Sequence, residues 1–212
     1  MTDADLAALL STRTETRNLD YKEAIHWSEA ASDEKVGLVK DILAMANTPT
    51  GGKIVLGVRD ADFEPVGLAR DAFESLDQTR TNDFLHRYTD PRFSCQVHKL
   101  SVDGRLHVVI EVAEFPIIPI ICRADANSTK GGKLLLRRGC IYTRTEKATS
   151  EPISTSDEMR ELLEIALTKR ETALISTIQN LVSRQPTVTP QARTPGEPAR
   201  ASSIPNLTLE DM

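Results

Sequence analysis

The segment that most constrains the fold is RFSCQVHKLSVDGRLHVVIEVAE, residues 92–114. Two runs of alternating apolar and polar residues flank Asp103-Gly104, a dipeptide strongly preferred in tight hairpin turns. Pairing around that turn gathers one set of apolar side chains on a single face: Phe93, Cys95, Val97, Leu106, Val108, Ile110 and Val112. The other face carries polar residues, among them His98 and His107. The pattern predicts an antiparallel hairpin with one face in the core and one in solvent or at a site.

The other helices and strands are predicted from the spacing of apolar residues and from the Gly and Pro residues that interrupt it. Helical spacing predicts helices over 3–10, 36–46 and 70–88, and the Thr155/Glu158 capping box begins a long C-terminal helix. Strands are predicted in NLDYKEAIHW, in the apolar run KIVLGV, in PVGL, and in KLLLRRGCIYTR. This order predicts an α+β fold, a mixed and mostly antiparallel sheet with packed helices, followed by a C-terminal helix and a disordered tail.

The chain length and composition bound the organisation. We expect a domain over residues 1–150, a helical segment over 151–184, and a disordered tail or linker over 185–212, which is rich in Pro, Ser and Thr. Hydrophobic residues make up 40% and charged residues 27%, as in water-soluble globular proteins. The longest apolar run, FPIIPIIC, is too short for a membrane span. With three unpatterned cysteines and no signal peptide, the sequence predicts a cytoplasmic protein without membrane contact.

Asp20 and Lys22 flank Tyr21 in a predicted strand, so their side chains share one face. A carboxylate beside an ammonium suits the cleavage of phosphodiesters. The carboxylate can hold a divalent metal, and the ammonium can stabilise the charge that develops at phosphorus. Glu15 and Asp60 offer two further carboxylates, and oxygen ligands of this kind suit Mg²⁺ or Mn²⁺. The alternative is an exposed Asp20–Lys22 ion pair of little energetic consequence.

Gly51 and Gly52 invite comparison with a phosphate-binding loop. Ile54 follows Lys53 where that loop needs Ser or Thr, and the order here is helix then strand rather than strand then helix. The pair is better explained as a helix end followed by a tight turn. The sequence therefore contains no nucleotide-binding motif.

The region from Arg123 to Lys147 is locally basic inside a chain of net charge −5. Because phosphate contacts dominate nucleic-acid affinity, it is the candidate nucleic-acid surface. Its predicted binding residues are Lys130, Lys133, Arg137, Arg138, Arg144 and Lys147. The alternative is a solvated hairpin edge whose lysines prevent sheet-to-sheet aggregation. Aromatic residues are only 4%, which favours recognition of backbone and shape over base stacking.

Three blocks of sequence resemble the AlbA-like domain of Schlafen proteins. They are ETRNLDYKEA, the helix end AMANTPTGG with the strand KIVLGVRD, and the later GCIYTR. The resemblance covers roughly residues 13–165. The same module occurs in many bacterial proteins labelled DNA-binding or ATP-binding.

In nuclease members of that family, three acidic residues bind a divalent metal and cut tRNA or rRNA. By position, the resemblance implies Glu15, Asp20 and Asp60 as metal ligands and catalytic residues, with Lys22 as electrostatic helper. Asp20 stands where those nucleases usually carry Glu. The implied function is nucleic-acid binding with metal-dependent endoribonuclease activity on tRNA-like RNA, in antiviral defence or stress.

Two further hypotheses stay open at this point. One is a non-catalytic module that binds DNA or a protein partner and regulates transcription or assembly; the other is a nucleotide-responsive assembly domain. The resemblance also implies a homo-oligomer, because nuclease Schlafens enclose substrate between two lobes and this chain has one. An apolar stripe on the C-terminal helix is a candidate contact for such a dimer: Leu163, Leu167, Leu174, Ile178 and Leu181.

Overall fold

A computed structural model describes residues 1–28 and 32–183. The helices are α1 (Asp3–Thr12), α2 (Ser32–Ala46), α3 (Arg70–Ser75), α4 (Gln78–Leu85) and α5 (Ser156–Ser183). The longer strands are β1 (Leu19–Lys22), β2 (Gly52–Leu56), β4 (Gln96–Val102) and β5 (Arg105–Val112). Short strands are β3 (Thr89–Asp90), β6 (Ile121–Cys122), β7 (Ala126–Asn127), β8 (Leu134–Leu136), β9 (Tyr142–Arg144) and β10 (Ser150–Pro152).

The chain divides into a compact unit, Met1–Leu174, and a second unit, Ile175–Met212, of which only the last turns of α5 are described. The predicted tail over 185–212 lies outside the described residues. No helix within 1–28 and 32–183 is both long and apolar enough to cross a membrane.

The central sheet has four strands in the order β1-β2-β5-β4. β1 runs parallel to β2, and the other two pairs are antiparallel. The predicted hairpin is present, with Val102 opposite Arg105 around the Asp103-Gly104 turn. The α+β fold with a mixed, mostly antiparallel sheet is therefore confirmed.

Both faces of the sheet are covered. The larger core packs apolar residues of α2 against Ile54, Leu56 and Ile110, and the smaller one packs α1 against Val55 and Val109. The expectation of a wet second face is therefore wrong at β5: α1 covers it and His107 is 0% exposed. Burial lowers the pKa of His107, and its Nδ1 lies 3.2 Å from the Leu56 carbonyl oxygen.

Two other element predictions needed revision. PVGL forms no strand; it contributes only isolated bridges, from Val58 to Pro65 and from Leu68 to Leu106. The predicted helix over 70–88 is two helices, because Asp77 is extended and caps the second by accepting a hydrogen bond from the Arg80 backbone N–H. The Thr155/Glu158 capping box is present at the start of α5.

The turn between α2 and β2 sets the start of the buried strand. Gly51 has φ +69°, and a Cβ there would lie 2.1 Å from the Val112 carbonyl oxygen, so only glycine fits. Just before it, the buried Asn47 side chain donates to the carbonyls of Leu43, Ile120 and Tyr142 and accepts from the Ile120 N–H. This amide joins α2 to β9 and to the segment before β6.

Candidate acidic cleft and basic strip

Asp20 and Lys22 lie on the face of β1 that looks toward α2, while Leu19 and Tyr21 pack into the smaller core. Lys22 Nζ is 2.9 Å from Asp20 Oδ2 and 2.8 Å from Asp41 Oδ2. From the other side, Arg144 Nη1 is 3.1 Å from Asp20 Oδ1 and 3.9 Å from Asp41 Oδ1. Two carboxylates and two cations thus form one neutral cluster.

The pKa values of Lys22 and Glu15 are displaced in this region. Burial alone lowers the pKa of Lys22, but the charges of Asp41 and Asp20 outweigh it and raise that pKa above its ordinary value. Burial raises the pKa of Glu15, and the charge of Asp20 adds to the rise. The backbone N–H of Tyr21, which donates to Glu15 Oε1 at 3.1 Å, opposes it.

Three members of the cluster, Asp20, Lys22 and Asp41, line a cleft of about 670 Å³. All four residues predicted for catalysis line it, namely Glu15, Asp20, Lys22 and Asp60, together with Glu23, Glu34 and Asp41. Asp60 does not sit on the strand end as expected: β2 stops at Leu56, and Asp60 is exposed in the turn beyond it. The cleft therefore brings the predicted residues to one concavity.

The carboxylates predicted to hold Mg²⁺ or Mn²⁺ are not grouped around one point in this arrangement. Within 1–28 and 32–183, no group of three or more His, Cys, Asp or Glu side chains is placed to share a metal ion. Each carboxylate oxygen of Asp20 already faces a cation, Arg144 on Oδ1 and Lys22 on Oδ2. A shared metal on Glu15, Asp20 and Asp60 stays a prediction.

Arg144 is placed differently from its predicted position on the basic surface. It is 2% exposed and donates to Asp20, to Ser150 and to the Thr16 carbonyl, so it belongs to the buried charged cluster with Asp20 and Asp41. Ser150 in turn donates to Asp41 Oδ1 at 2.7 Å. Asp41 and Ser150 were missed by sequence reasoning, and no local pattern singles them out. The sequence had pointed to Arg144 only as a cation of the basic region and as the last residue of GCIYTR.

The basic strip consists of the remaining cations of this region: Arg123, Lys130, Lys133, Arg137, Arg138 and Lys147. All six are exposed, and none has a carboxylate partner within 4.0 Å in the part of the chain described. Lys130 and Lys133 lie at the tip of the β7–β8 hairpin. Arg123, Arg137 and Arg138 lie at its base, where the Arg138 backbone N–H donates to Asp125 Oδ1.

The tip of that hairpin is tied to the beginning of α2. Asp33 Oδ1 accepts from the Thr129 backbone N–H at 2.9 Å and from its hydroxyl at 3.1 Å. Asp33 Oδ2 accepts from the Ser128 hydroxyl. These hydrogen bonds lower the pKa of Asp33, with Ser128 the largest cause. The lysines thus project from an anchored loop.

Comparison with known proteins decides the family. The sequence matches the family described as Schlafen, AlbA_2 over residues 15–149. The chain belongs to the Schlafen AlbA_2 family. In this Schlafen domain, the acidic cleft and the basic strip both lie within or at the edge of the matched residues.

Two solved structures match the chain at low similarity. The DIP2311 protein of Corynebacterium diphtheriae is 18% identical with a TM-score of 0.46; the match covers 73% of this chain and 27% of that chain. The N-terminal domain of a RecG-related protein from Nitrosomonas europaea is 21% identical with a TM-score of 0.41, covering 63% of this chain and 88% of that chain. The Schlafen chain thus spans about a quarter of the DIP2311 protein. A comparison with curated proteins gave no match.

Proposed function

We propose that this Schlafen AlbA_2 chain binds nucleic acid through the phosphate backbone. The observation that carries the proposal is the basic strip: six exposed cations without ion pairs among the described residues, on a chain whose net charge is −5. Arg and Lys without carboxylate partners contact phosphate without first breaking an ion pair. Nucleic-acid affinity of this kind depends strongly on salt, because Lys and Arg side chains that contact phosphates release the counterions condensed on the nucleic acid.

The test is fluorescence anisotropy with a labelled RNA hairpin and a DNA duplex over a series of KCl concentrations. Replacing Lys130 and Lys133 by Ala is expected to lower affinity for either ligand and to reduce the salt slope by about one per lysine. Arg70→Ala and Arg160→Ala are matched controls, because these exposed cations already pair with Glu74 and Asp157. Absence of salt-dependent binding to either ligand would refute the proposal.

A second candidate function is cleavage of tRNA-like RNA with a divalent metal, in defence or stress response. What favours it is the shared cleft of Glu15, Asp20, Lys22 and Asp60; what opposes it is the pairing of Asp20 with two cations. Asp60→Ala is a clean probe because the side chain is exposed. Mn²⁺-dependent tRNA cleavage that this substitution abolishes would establish the nuclease. Equal inertness of both proteins, with salt-sensitive binding retained, would leave the non-catalytic module.

We also propose that the chain forms a homo-oligomer through α5. Leu163, Leu167 and Leu174 are more than half exposed, as are Ile178 and Leu181. Their spacing of three, four and seven is typical of helix pairing. In multi-angle light scattering, Leu167→Asp is expected to give monomers, whereas Glu164→Asp, which leaves the apolar residues intact, is not. A wild-type monomer at micromolar concentration would contradict this proposal and leave nucleic-acid binding untouched.

A further inference from the structure

A second cleft, of about 410 Å³, lies beside the basic strip. Its volume is in the range of pockets that hold small molecules, about 300–1,000 Å³. The residues that line it come from α2, β8, β9, β10 and the loops next to them: Lys40, Leu134, Leu135, Arg137, Cys140, Tyr142, Pro152 and Ile153. This cleft is distinct from the acidic one, which shares none of these residues.

The lining of this cleft combines apolar side chains with positive charge. Six of the eight residues supply apolar or weakly polar surface, Leu134 being 39% exposed. The two charged residues are both cations, Lys40 and Arg137, and no carboxylate lines the cleft. Neither cation has an ion pair among residues 1–28 and 32–183. An occupant that matches this lining has an apolar part and an anionic part.

Two contacts hold the cationic wall in place. Lys40 Nζ lies 5.8 Å from the centre of the Tyr142 ring, within the range of a cation–π contact. The Tyr142 hydroxyl accepts a hydrogen bond from the backbone N–H of Arg137 at 2.8 Å. Tyr142 itself is buried, so it supports Lys40 and the Arg137 backbone rather than serving as an exposed stacking platform.

Continuity with the basic strip selects the occupant. Arg137 belongs to both the cleft and the strip, and Leu134 lies on the strand that follows the lysine-bearing tip. We infer that the cleft takes one unpaired nucleotide of the bound strand, with its base on the apolar floor and its phosphate between Lys40 and Arg137. This inference rests on the proposed nucleic-acid binding and makes it selective for strands with unpaired bases. It revises the expectation, drawn from few aromatics, of shape recognition alone.

Cys140 provides a direct readout of this cleft. It is partly exposed and lines the cleft, whereas Cys95 and Cys122 are buried. Burial raises the pKa of Cys95 to about 12 and that of Cys122 to about 11, so neither forms the reactive thiolate at neutral pH. Iodoacetamide labelling at neutral pH, followed by peptide mass spectrometry, therefore reports on Cys140 with two internal controls.

The experiment measures the rate of Cys140 alkylation with no ligand, with an RNA hairpin carrying an unpaired loop, with the blunt duplex of its stem, and with adenosine monophosphate. Each is added at a concentration at which the hairpin saturates the protein. The hairpin is expected to slow the alkylation of Cys140 at least several-fold relative to the protein without ligand. The duplex is expected to leave this rate unchanged. In anisotropy, Leu134→Ser is expected to weaken hairpin binding on the order of tenfold, because the base loses apolar contact with the leucine, and to leave duplex binding unchanged. Ile118→Ser, at an exposed apolar residue outside the cleft, is the matched control.

The outcomes separate this inference from the proposal on which it rests. If hairpin and duplex both bind in a salt-dependent way but alter Cys140 equally or not at all, the nucleotide cleft is wrong and phosphate binding stands. If neither ligand binds, both proposals fail. If adenosine monophosphate protects Cys140 as well as the hairpin does, the cleft holds a free nucleotide and the assignment to a strand is overturned.

Discussion

Replacing Arg144 by Met tests whether the neutral cluster beneath the acidic cleft holds the domain together. The substitution keeps most of the side-chain volume and removes the hydrogen bonds to Asp20, Ser150 and the Thr16 carbonyl. Both Arg144 and Asp20 are almost fully buried, with side-chain exposures of 1% and 7%. Removing one partner of a buried ion pair leaves an uncompensated charge and typically costs about 3–5 kcal/mol.

Three features of the structure place the expected loss of unfolding free energy within that range, at about 4 kcal/mol. Asp20 keeps Lys22 as a counter-ion, which limits the loss. The charge-assisted bond to Asp20 and the two bonds to Thr16 and Ser150 are lost, which increases it. Arg144 Nε, which is buried without a hydrogen-bond partner, no longer has to be accommodated, so some of the cost is recovered.

Urea denaturation followed by circular dichroism measures this loss. With a slope of about 2 kcal/mol/M, the midpoint is expected to fall by about 2 M. Lys147→Met is the matched control, since Lys147 is exposed and three residues away in sequence; it should change stability by no more than about 0.5 kcal/mol. The double variant Asp20→Asn/Arg144→Met is expected to lose about 1–3 kcal/mol less unfolding free energy than the sum of the two single losses. An Arg144→Met midpoint equal to that of the control, or strict additivity in the double variant, would refute the reasoning.

Three further predictions concern stability. Asn47→Leu should lower the unfolding free energy by about 2–4 kcal/mol in urea, because three buried carbonyls and one N–H lose their partner; a loss below about 1 kcal/mol would contradict this. Gly51→Ala should lower the melting temperature far more than Gly104→Ala: both have positive φ, but only the former brings a Cβ to 2.1 Å from backbone, and equal shifts would be inconsistent with the turn. Burial raises the pKa of Glu15 in the folded protein above its ordinary value of 4.5. Its contribution to the free energy of unfolding is therefore fully present below pH 4.5 and is lost as pH rises through the folded-state pKa. Glu15→Gln should therefore gain stability relative to wild type as pH increases, and a difference that is flat with pH would argue against the shift.

Much of the fold could be predicted from local pattern. The alternation around Asp103-Gly104 gave the β4–β5 hairpin, and the capping box gave the start of α5, because each signal lies within a few residues of the structure it predicts. The prediction of a strand at PVGL was wrong because the segment folds into a turn whose hydrogen bonds its sequence pattern does not show. Val66 and Gly67 both donate to the Gly57 carbonyl in a compact turn, an arrangement that alternation alone does not encode.

The site was predicted less well than the fold. The sequence placed Asp20 and Lys22 on one face, and the structure keeps them there. It did not predict that Arg144, 124 residues away, would occupy an oxygen of Asp20. Local periodicity cannot show such a partner, because it says which residues share a face but not which distant charge will neutralise them. Arg144 looked like one more surface cation in a basic stretch.

The hydrogen bonds from Ser128 and Thr129 to Asp33 have a consequence for kinetics. Because the free protein already holds this loop against a helix, the conformational entropy of ordering it is lost during folding and not at the encounter with a polyanion. Association should then resemble the docking of a preformed surface, limited by diffusion and electrostatic steering rather than by a rearrangement of the protein.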